Sequence, residues 1–241
     1  RLNLWEVYVL INGQTDIVYS KQIVVAAGSF VNHNQILPPG CQLELYAFTE
    51  PNLLFEIAPD DLELMQNMPT IITVDPENTD NKNMSIYLLP PIKYPDGKWY
   101  AKIGPGMQPI VQQLDSLEQM RQWYLQQQIT QQQRDFLMQM KHLLLPDLTP
   151  ASIKEACCII EKTSTSYPYI GQINEDNSLN IVVGGNGHGA RGSDEIGRLA
   201  ANIVMQNTWD LSIDKEVFTP ILKNDTTSTS KLISTPPYGL A

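Results

Sequence analysis

The segment NIVVGGNGHGARGSDEIGRLAANIV, Asn180 to Val204, constrains the fold more than any other part of the chain. An apolar run, a glycine-rich turn and an amphipathic stretch follow one another without a break, which predicts strand, tight turn and helix. Gly187, Gly189 and Gly192 spell G-x-G-x-x-G. In a dinucleotide-binding turn of that spacing a strand leads in, a helix leads out, and an acidic residue about twenty positions on takes the ribose. The first two conditions are met. The third is met poorly, because Asp210 is followed only by a short Leu211-Ser212-Ile213 and another turn. Ser193 can cap the helix, and Asp194 and Glu195 suit its first turn. Two readings stay open on these residues. The helix start can present N–H groups to an anion, with His188 and Arg191 beside them. Alternatively the glycines close a tight strand–helix turn, with a solvent-facing arginine and a packed histidine.

The rest of the chain has the texture of a folded protein with a second, separate sheet. LNLWEVYVLINGQTDIVYSKQIVVAAG reads as three strands, with Asn12-Gly13 as the hairpin turn between the first two. The third, Gln22–Ala27, is continuously apolar, as for a strand buried on both faces. It runs into Ala27-Gly28-Ser29, small residues that let a ligand or another backbone approach. ILPPG at 36–40 marks a crossing between structural units. CQLELYAFTE, TIITVD, MSIYLLPP and KWYAKIG then read as strands of an antiparallel sheet, separated by the turn chemistry of DPENTDNKN (75–83) and YPDG. Between Val111 and Leu145, Leu114, Leu117, Tyr124, Leu125, Ile129, Phe136, Leu137, Met140, Leu143 and Leu144 recur at near-helical spacing. One or two amphipathic helices follow, with a break near Ile129-Thr130 and the glutamines on the wet face. The spacing is not a sustained heptad, although a coiled-coil module stays open. Strands return in IKEACCIIEKTSTSYPYIGQINEDNSLNIVVGG, with a turn at 174–177, and a Ser/Thr/Pro-rich tail closes the chain.

Composition excludes several classes. The 241 residues are 42% hydrophobic and 17% charged, a globular balance. A formal charge of −10 argues against a broad nucleic-acid surface. The longest apolar runs, such as Ile23–Ala27, are too short to span a bilayer, and no secretory pattern opens the chain. Three cysteines, with Cys157 and Cys158 adjacent, make neither a disulfide framework nor a zinc spacing, so no metal is expected and a reducing, cytoplasmic setting is the simpler reading. Asn83-Met84-Ser85 and Asn224-Asp225-Thr226 then read as chance matches to the glycosylation pattern. Arg1 is not a start methionine, which reads as a fragment or a processed chain.

Three segments, in order, resemble the C-terminal part of the FAD-dependent amine oxidoreductases of the D-amino-acid oxidase superfamily, the group of glycine oxidase and monomeric sarcosine oxidase. KQIVVAAGSFVN is similar to that family's strand and AAG turn. EKTSTSYPYIGQI is similar to its T-P-D-G-x-P-x-I-G segment. IVVGGNGHGARGSDEIGRLAANIV is similar to its G-x-x-G-H-G-x-K/R turn and I-G-R-L-x-A helix. The likeness runs from about Gln22 to Leu222 and leaves out the family's N-terminal G-x-G-x-x-G segment. Thr165 stands where the family usually has Asp, Ser166 where it often has Gly, and Pro105-Gly106 where some relatives carry a histidine.

The resemblance implies an α/β fold with an α+β substrate domain. Residues 1–34 would form part of an FAD-binding domain, 35–162 a substrate domain (a mixed, mostly antiparallel sheet with helices on one side), 163–222 the return to the first domain, and 223–241 a mobile tail. It implies FAD as cofactor and a small amine or amino acid as substrate, oxidised at a C–N bond by hydride transfer. The GHG turn would face the flavin ring rather than the pyrophosphate. Ala27, Gly28, Gly171, Gly185, Gly187, His188, Gly189 and Ala190 would lie against the cofactor. Arg191 would hold a substrate carboxylate, and Lys102, in YAKIG, would sit over the flavin and help oxygen reduction, unless it is an ordinary strand-end lysine. Cys158, or Cys157 by register, falls near a position of covalent flavin attachment in some relatives, where small buried residues are the plainer reading. The expected partners exclude nucleic acid and membrane. They include self-association through a sheet edge or the glutamine-rich helix. A second reading is a non-catalytic binding or assembly module that keeps the fold without the cofactor.

Overall fold

The structure is a computed structural model that describes residues 4–33, 35–65, 67–73, 85–106, 110–175, 178–206 and 208–223. The turn expected at 75–83, the end of the turn at 174–177, the asparagines Asn83 and Asn224, and the tail beyond Lys223 lie outside the described residues. In chain order the strands are β1 (Trp5–Ile11), β2 (Gln14–Ser20), β3 (Ile23–Val25), β4 (Leu45–Glu56), β5 (Ile71–Ile72), β6 (Ile86–Lys93), β7 (Trp99–Pro105), β8 (Gln113–Leu114), β9 (Ile153–Thr163), β10 (Tyr169–Gln172) and β11 (Leu179–Val183). The helices are α1 (Pro59–Met65), α2 (Leu117–Gln126), α3 (Gln131–Leu144) and α4 (Ser193–Gln206). The fold mixes helices with mostly antiparallel sheets, and it divides into two compact units: Arg1–Tyr46 with Glu161–Ala241, and Ala47–Ile160.

In the first unit β1 and β2 form an antiparallel hairpin whose register pairs Ile11 with Gln14. That leaves Asn12-Gly13 as a two-residue loop with φ of 50° and 80°, the geometry that matches strand twist and that this dipeptide tolerates. A three-stranded sheet runs β10-β11-β3, with β10 antiparallel and β3 parallel to β11. One face carries Val25, Tyr169, Leu179, Ile181 and Val183 into a core with Val31, Leu43 and Leu45. On the other, Ile170 packs with Leu199 and Ile203 of α4 and with Phe218. The expectation that the third strand is buried on both faces needs correction. α4 touches β10 and β11, and Val24, on that same face of β3, is 47% exposed.

In the second unit the order is β5-β6-β7-β4-β8, with β9 also pairing β4. The ladders β5–β6, β6–β7, β7–β4 and β4–β8 are antiparallel. β4 runs twelve residues, straight through Pro51, and β6 passes Pro90-Pro91 at a register shift between Leu89 and Ile92, where a missing N–H costs no ladder bond. Leu53, Phe55, Ile86, Leu88 and Ile103 face Trp123, Leu137 and Met140, and Leu62 and Met65 of α1 join the same cluster, so the helices lie on one side of the sheet. The glutamine-rich stretch forms two helices. Gln127 at φ 50° ends α2, and Thr130 caps α3 in a reciprocal box with Gln133. The apolar stripe differs from the spacing argument: Met120 and Trp123 are buried, while Tyr124, Leu125 and Leu143 are exposed. Each helix sets its own phase once the break intervenes. Gln133 is not on the wet face, since it is buried and donates to the Ile110 carbonyl at 2.8 Å.

Candidate functional site

Parallel pairing of β3 with β11, Ile23 opposite Leu179 and Val25 opposite Ile181, sends both strands out of the sheet in the same direction. Two glycine-bearing loops therefore leave one end of the sheet: Ala26–Phe30 after β3 and Gly184–Gly192 after β11. The carboxyl ends of adjacent parallel strands are where open α/β sheets hold ligands.

The first loop turns at Ala27 into a 3-10 turn over Gly28–Phe30, with Gly28 at φ 55°. A side chain at Gly28 would meet nothing within 4 Å, so the space beside this backbone is open and its φ alone calls for glycine. The second loop is built around Asn186. Its φ is 54°, it is 5% exposed, and it lies between Gly184 at φ 79° and Gly187 at φ 86°. Asn186 Oδ1 accepts from the Thr163 N–H at 2.8 Å, and Nδ2 donates to the Gly184 carbonyl at 2.5 Å. Lys162 Nζ donates to the Asn186 carbonyl at 2.8 Å. Glu161 accepts from the Gly185 N–H at 3.1 Å through Oε1 and from the Ser29 hydroxyl at 2.9 Å through Oε2. Three successive residues at the end of β9 thus hold the second loop, and one of them also holds the first.

With the buried half of the loop anchored, its other half is outward: Gly187, His188, Ala190 and Arg191 are exposed. The His188 N–H donates to the Gly185 carbonyl at 2.7 Å, and the Arg191 N–H to the His188 carbonyl at 3.1 Å. The latter is the first bond of a 3-10 turn over Gly189–Gly192, so the Gly189 and Ala190 amides stand at the positive end of what continues as α4. Arg191 Nη2 lies 3.0 Å from His188 Nδ1. A guanidinium only donates, so Nδ1 accepts and Nε2 carries the proton. Partial desolvation of the ring first, then the Lys162 and Arg191 charges, lower the imidazole below its ordinary pKa. Ser193 is not the cap that the sequence suggests. It is already helical, at φ −59° and ψ −38°, whereas a capping residue is extended.

The loop's glycines divide into two kinds. A Cβ at Gly189 would meet nothing within 4 Å, which leaves its backbone open to a planar ligand. A Cβ at Gly185 would lie 3.1 Å from Gly189 Cα, and one at Gly171 would lie 3.1 Å from Pro220 Cδ, so these two serve close packing of the protein itself. Gly184 would drive a Cβ to 2.3 Å from Thr163 Cγ2. The ribose-binding acid of a dinucleotide turn has no counterpart: Asp210 is bound to Arg198 at 2.5 and 2.9 Å, and no strand follows α4 among the described residues. As the place for a flavin ring, the rim has open backbone at Gly28 and Gly189, helix-start amides and nearby cations, which fits a group that gains negative charge on reduction.

Thr165 and Ser166 form a tight turn after β9. Thr165 Oγ1 accepts from the Tyr167 N–H at 3.2 Å, and Ser166 takes φ 62°, a left-handed position that favours glycine. Lys102 lies in the other unit, on β7, with its ammonium 5.6 Å from the centroid of the Tyr87 ring. The Tyr87 hydroxyl donates to Asn52 Oδ1 at 2.5 Å, and Gly104 leaves the room that both need. Of the cysteines, all free, Cys157 belongs to the apolar core, where burial pushes its thiol up, and the Cys158 carbonyl accepts from the Trp123 indole at 2.6 Å. Glu161, Lys162 and Asn186 carried no motif of their own. The one sequence signal for Asn186 was its place between glycines.

No protein-family model and no curated protein matches this chain. Solved structures do. L-proline dehydrogenase from P. horikoshii superposes with a TM-score of 0.59 at 16% identity, over 88% of this chain and 51% of its own. NikD, an amino acid oxidase of nikkomycin biosynthesis, gives 0.57 at 15% identity over 90% and 53%. Glycine oxidase from Geobacillus kaustophilus gives 0.54 at 16% identity over 91% and 50%. The chain spans about half the length of each, and its fold is that of the corresponding part of these amino-acid oxidases and dehydrogenases.

Proposed function

We propose that this chain forms part of an FAD-dependent oxidoreductase that oxidises a C–N bond of an amino acid or secondary amine. The observation that carries the reading is the rim: two glycine-bearing loops at the carboxyl ends of paired parallel strands, in a fold shared with amino-acid oxidases and dehydrogenases. FAD would supply the acceptor for the hydride. Gly28, Gly187, Gly189 and Ala190 would let the ring approach backbone, and the helix-start amides would favour its reduced, negatively charged form. Arg191 would bind the substrate carboxylate in a two-pronged fashion, with neutral His188 holding the guanidinium in place from Nδ1. The product imine is then hydrolysed by water. Lys102 is assigned, on the resemblance alone, to reoxidation by oxygen.

The test is the full-length protein. It should purify yellow, or take up added FAD, and bleach anaerobically with an amino acid or secondary amine. Colourless protein that refuses FAD sinks the reading. A second reading, a binding module without cofactor, draws on the exchange of the family's Asp and Gly for Thr165 and Ser166 and on the exposed Tyr124, Leu125 and Leu143 of the helical layer. Refusal of FAD by a well-folded full-length protein would favour it.

A further inference from the structure

The paired strands β3 and β11 fix where the two rim loops begin, but not how far apart they stay. Among the described residues no backbone hydrogen bond joins Ala26–His33 to Gly184–Arg191. A side chain at the end of β9 bonds to both. Glu161 spends one carboxylate oxygen on the Ser29 hydroxyl at 2.9 Å and the other on the Gly185 N–H at 3.1 Å. Ser29 is 8% exposed, so its hydroxyl has little water to turn to. Both bonds end on the same carboxyl group, and charge-assisted bonds of this kind are stronger than neutral ones. We propose that Glu161 is a positioning residue that couples the two loops into one rigid rim, and so sets the opening that receives the cofactor. The cofactor clause rests on the flavin reading above; the coupling does not.

The neighbours make the effect separable from folding. Lys162 and Thr163 hold Asn186 from the same strand end, so the second loop keeps its shape when Glu161 is lost. Glutamine can keep both links in neutral form, its carbonyl accepting from Gly185 and its amide donating to Ser29. Alanine keeps neither. Ser29→Ala cuts one arm and leaves the second loop's own bonds untouched.

The experiment is hydrogen exchange on the segments 26–31 and 184–192 of the full-length protein, without added ligand, followed by FAD titration. Ser29→Ala should speed exchange in 184–192 by about fivefold, the worth of one hydrogen bond transmitted through Glu161. Glu161→Ala should speed both segments by about tenfold or more and weaken FAD binding by about tenfold, and Glu161→Gln should recover most of each. Unchanged exchange in 184–192 of Ser29→Ala, or loosening of one segment only in Glu161→Ala, overturns the coupling. Should Glu161→Ala not fold, Ser29→Ala decides. If the unaltered protein binds no FAD, the flavin reading falls and exchange alone judges the coupling. If it binds FAD and a loosened Glu161→Ala binds it equally well, the cofactor clause is overturned.

Discussion

At the residue scale the glycine turn is a set of separate physical demands. Gly13 and Gly184 have almost the same φ, 80° and 79°, yet a Cβ at Gly13 meets nothing within 4 Å and one at Gly184 meets Thr163 Cγ2 at 2.3 Å. Gly13→Ala should cost about 1 kcal/mol of backbone strain, and Gly184→Ala about 3 kcal/mol or more, because Thr163 sits on strand backbone that cannot withdraw. Chemical denaturation of the two variants tests the difference; equal losses would refute it. Asn186→Ala strands the Thr163 N–H in a buried setting and should cost about 2–3 kcal/mol by the same measurement. His188 has a folded pKa below its unfolded one. As pH falls through about 6.5 the unfolded chain takes up a proton that the folded chain resists, so this contribution is complete above that pH and is lost as pH falls toward the folded pKa. The loss is modest because the ring touches solvent, and His188→Asn should flatten it in unfolding midpoints taken from pH 7 to 5. Arg191→Ala should raise KM for a carboxylate substrate by roughly 10–100-fold with flavin content unchanged, on the scale of a charged hydrogen-bonded pair. Loss of flavin with unaltered KM would return the loop to a cofactor-anchoring role.

At the element scale, local chemistry was legible wherever a residue pair dictates its own geometry. Asn12-Gly13 specifies its hairpin, and Thr130 with Gln133 specifies the start of α3. Thr130→Ala should lower stability by about 1 kcal/mol, read from the thermal midpoint, since the Gln133 N–H loses its hydroxyl acceptor while the return bond from the Thr130 backbone N–H to Gln133 stays. The same local logic misplaced Ser193, because a 3-10 turn already supplies the helix start that a cap would otherwise provide. It passed over α1 as well: Asp60, Asp61, Leu62 and Leu64 present no long period, and the helix rests on Leu62 and Met65 packing against the sheet. The apolar count over α2 and α3 included Tyr124, Leu125 and Leu143, which packing leaves outside, and missed Met120 and Trp123, which it takes in.

At the scale of the whole molecule, the hairpin β1–β2 stands as its own two-stranded sheet with Leu10 at 74% exposure and Tyr8, Ile11, Val18 and Tyr19 exposed beside it. Apolar strands in the open favour association. The 241-residue chain should sediment with a concentration-dependent mass, and Leu10→Lys with Val18→Lys should remove that dependence; unchanged self-association would point to the exposed helical residues instead. Among the described residues no helix is long and apolar enough to cross a membrane. The sequence alone determined the strand–turn–helix at 180–204, the Asn-Gly hairpin, the antiparallel second sheet and the paired helices, because each follows from periodicity or turn chemistry within a few residues. It also held, in the order of three segments, the likeness to amine oxidoreductases. Only the tertiary structure decided what the glycines serve. Parallel pairing of β3 with β11 brings loops some 155 positions apart to one end of a sheet, where Glu161 can touch both. A carboxylate shared between distant loops has no spacing to betray it, since its meaning lies in partners that only folding brings within reach.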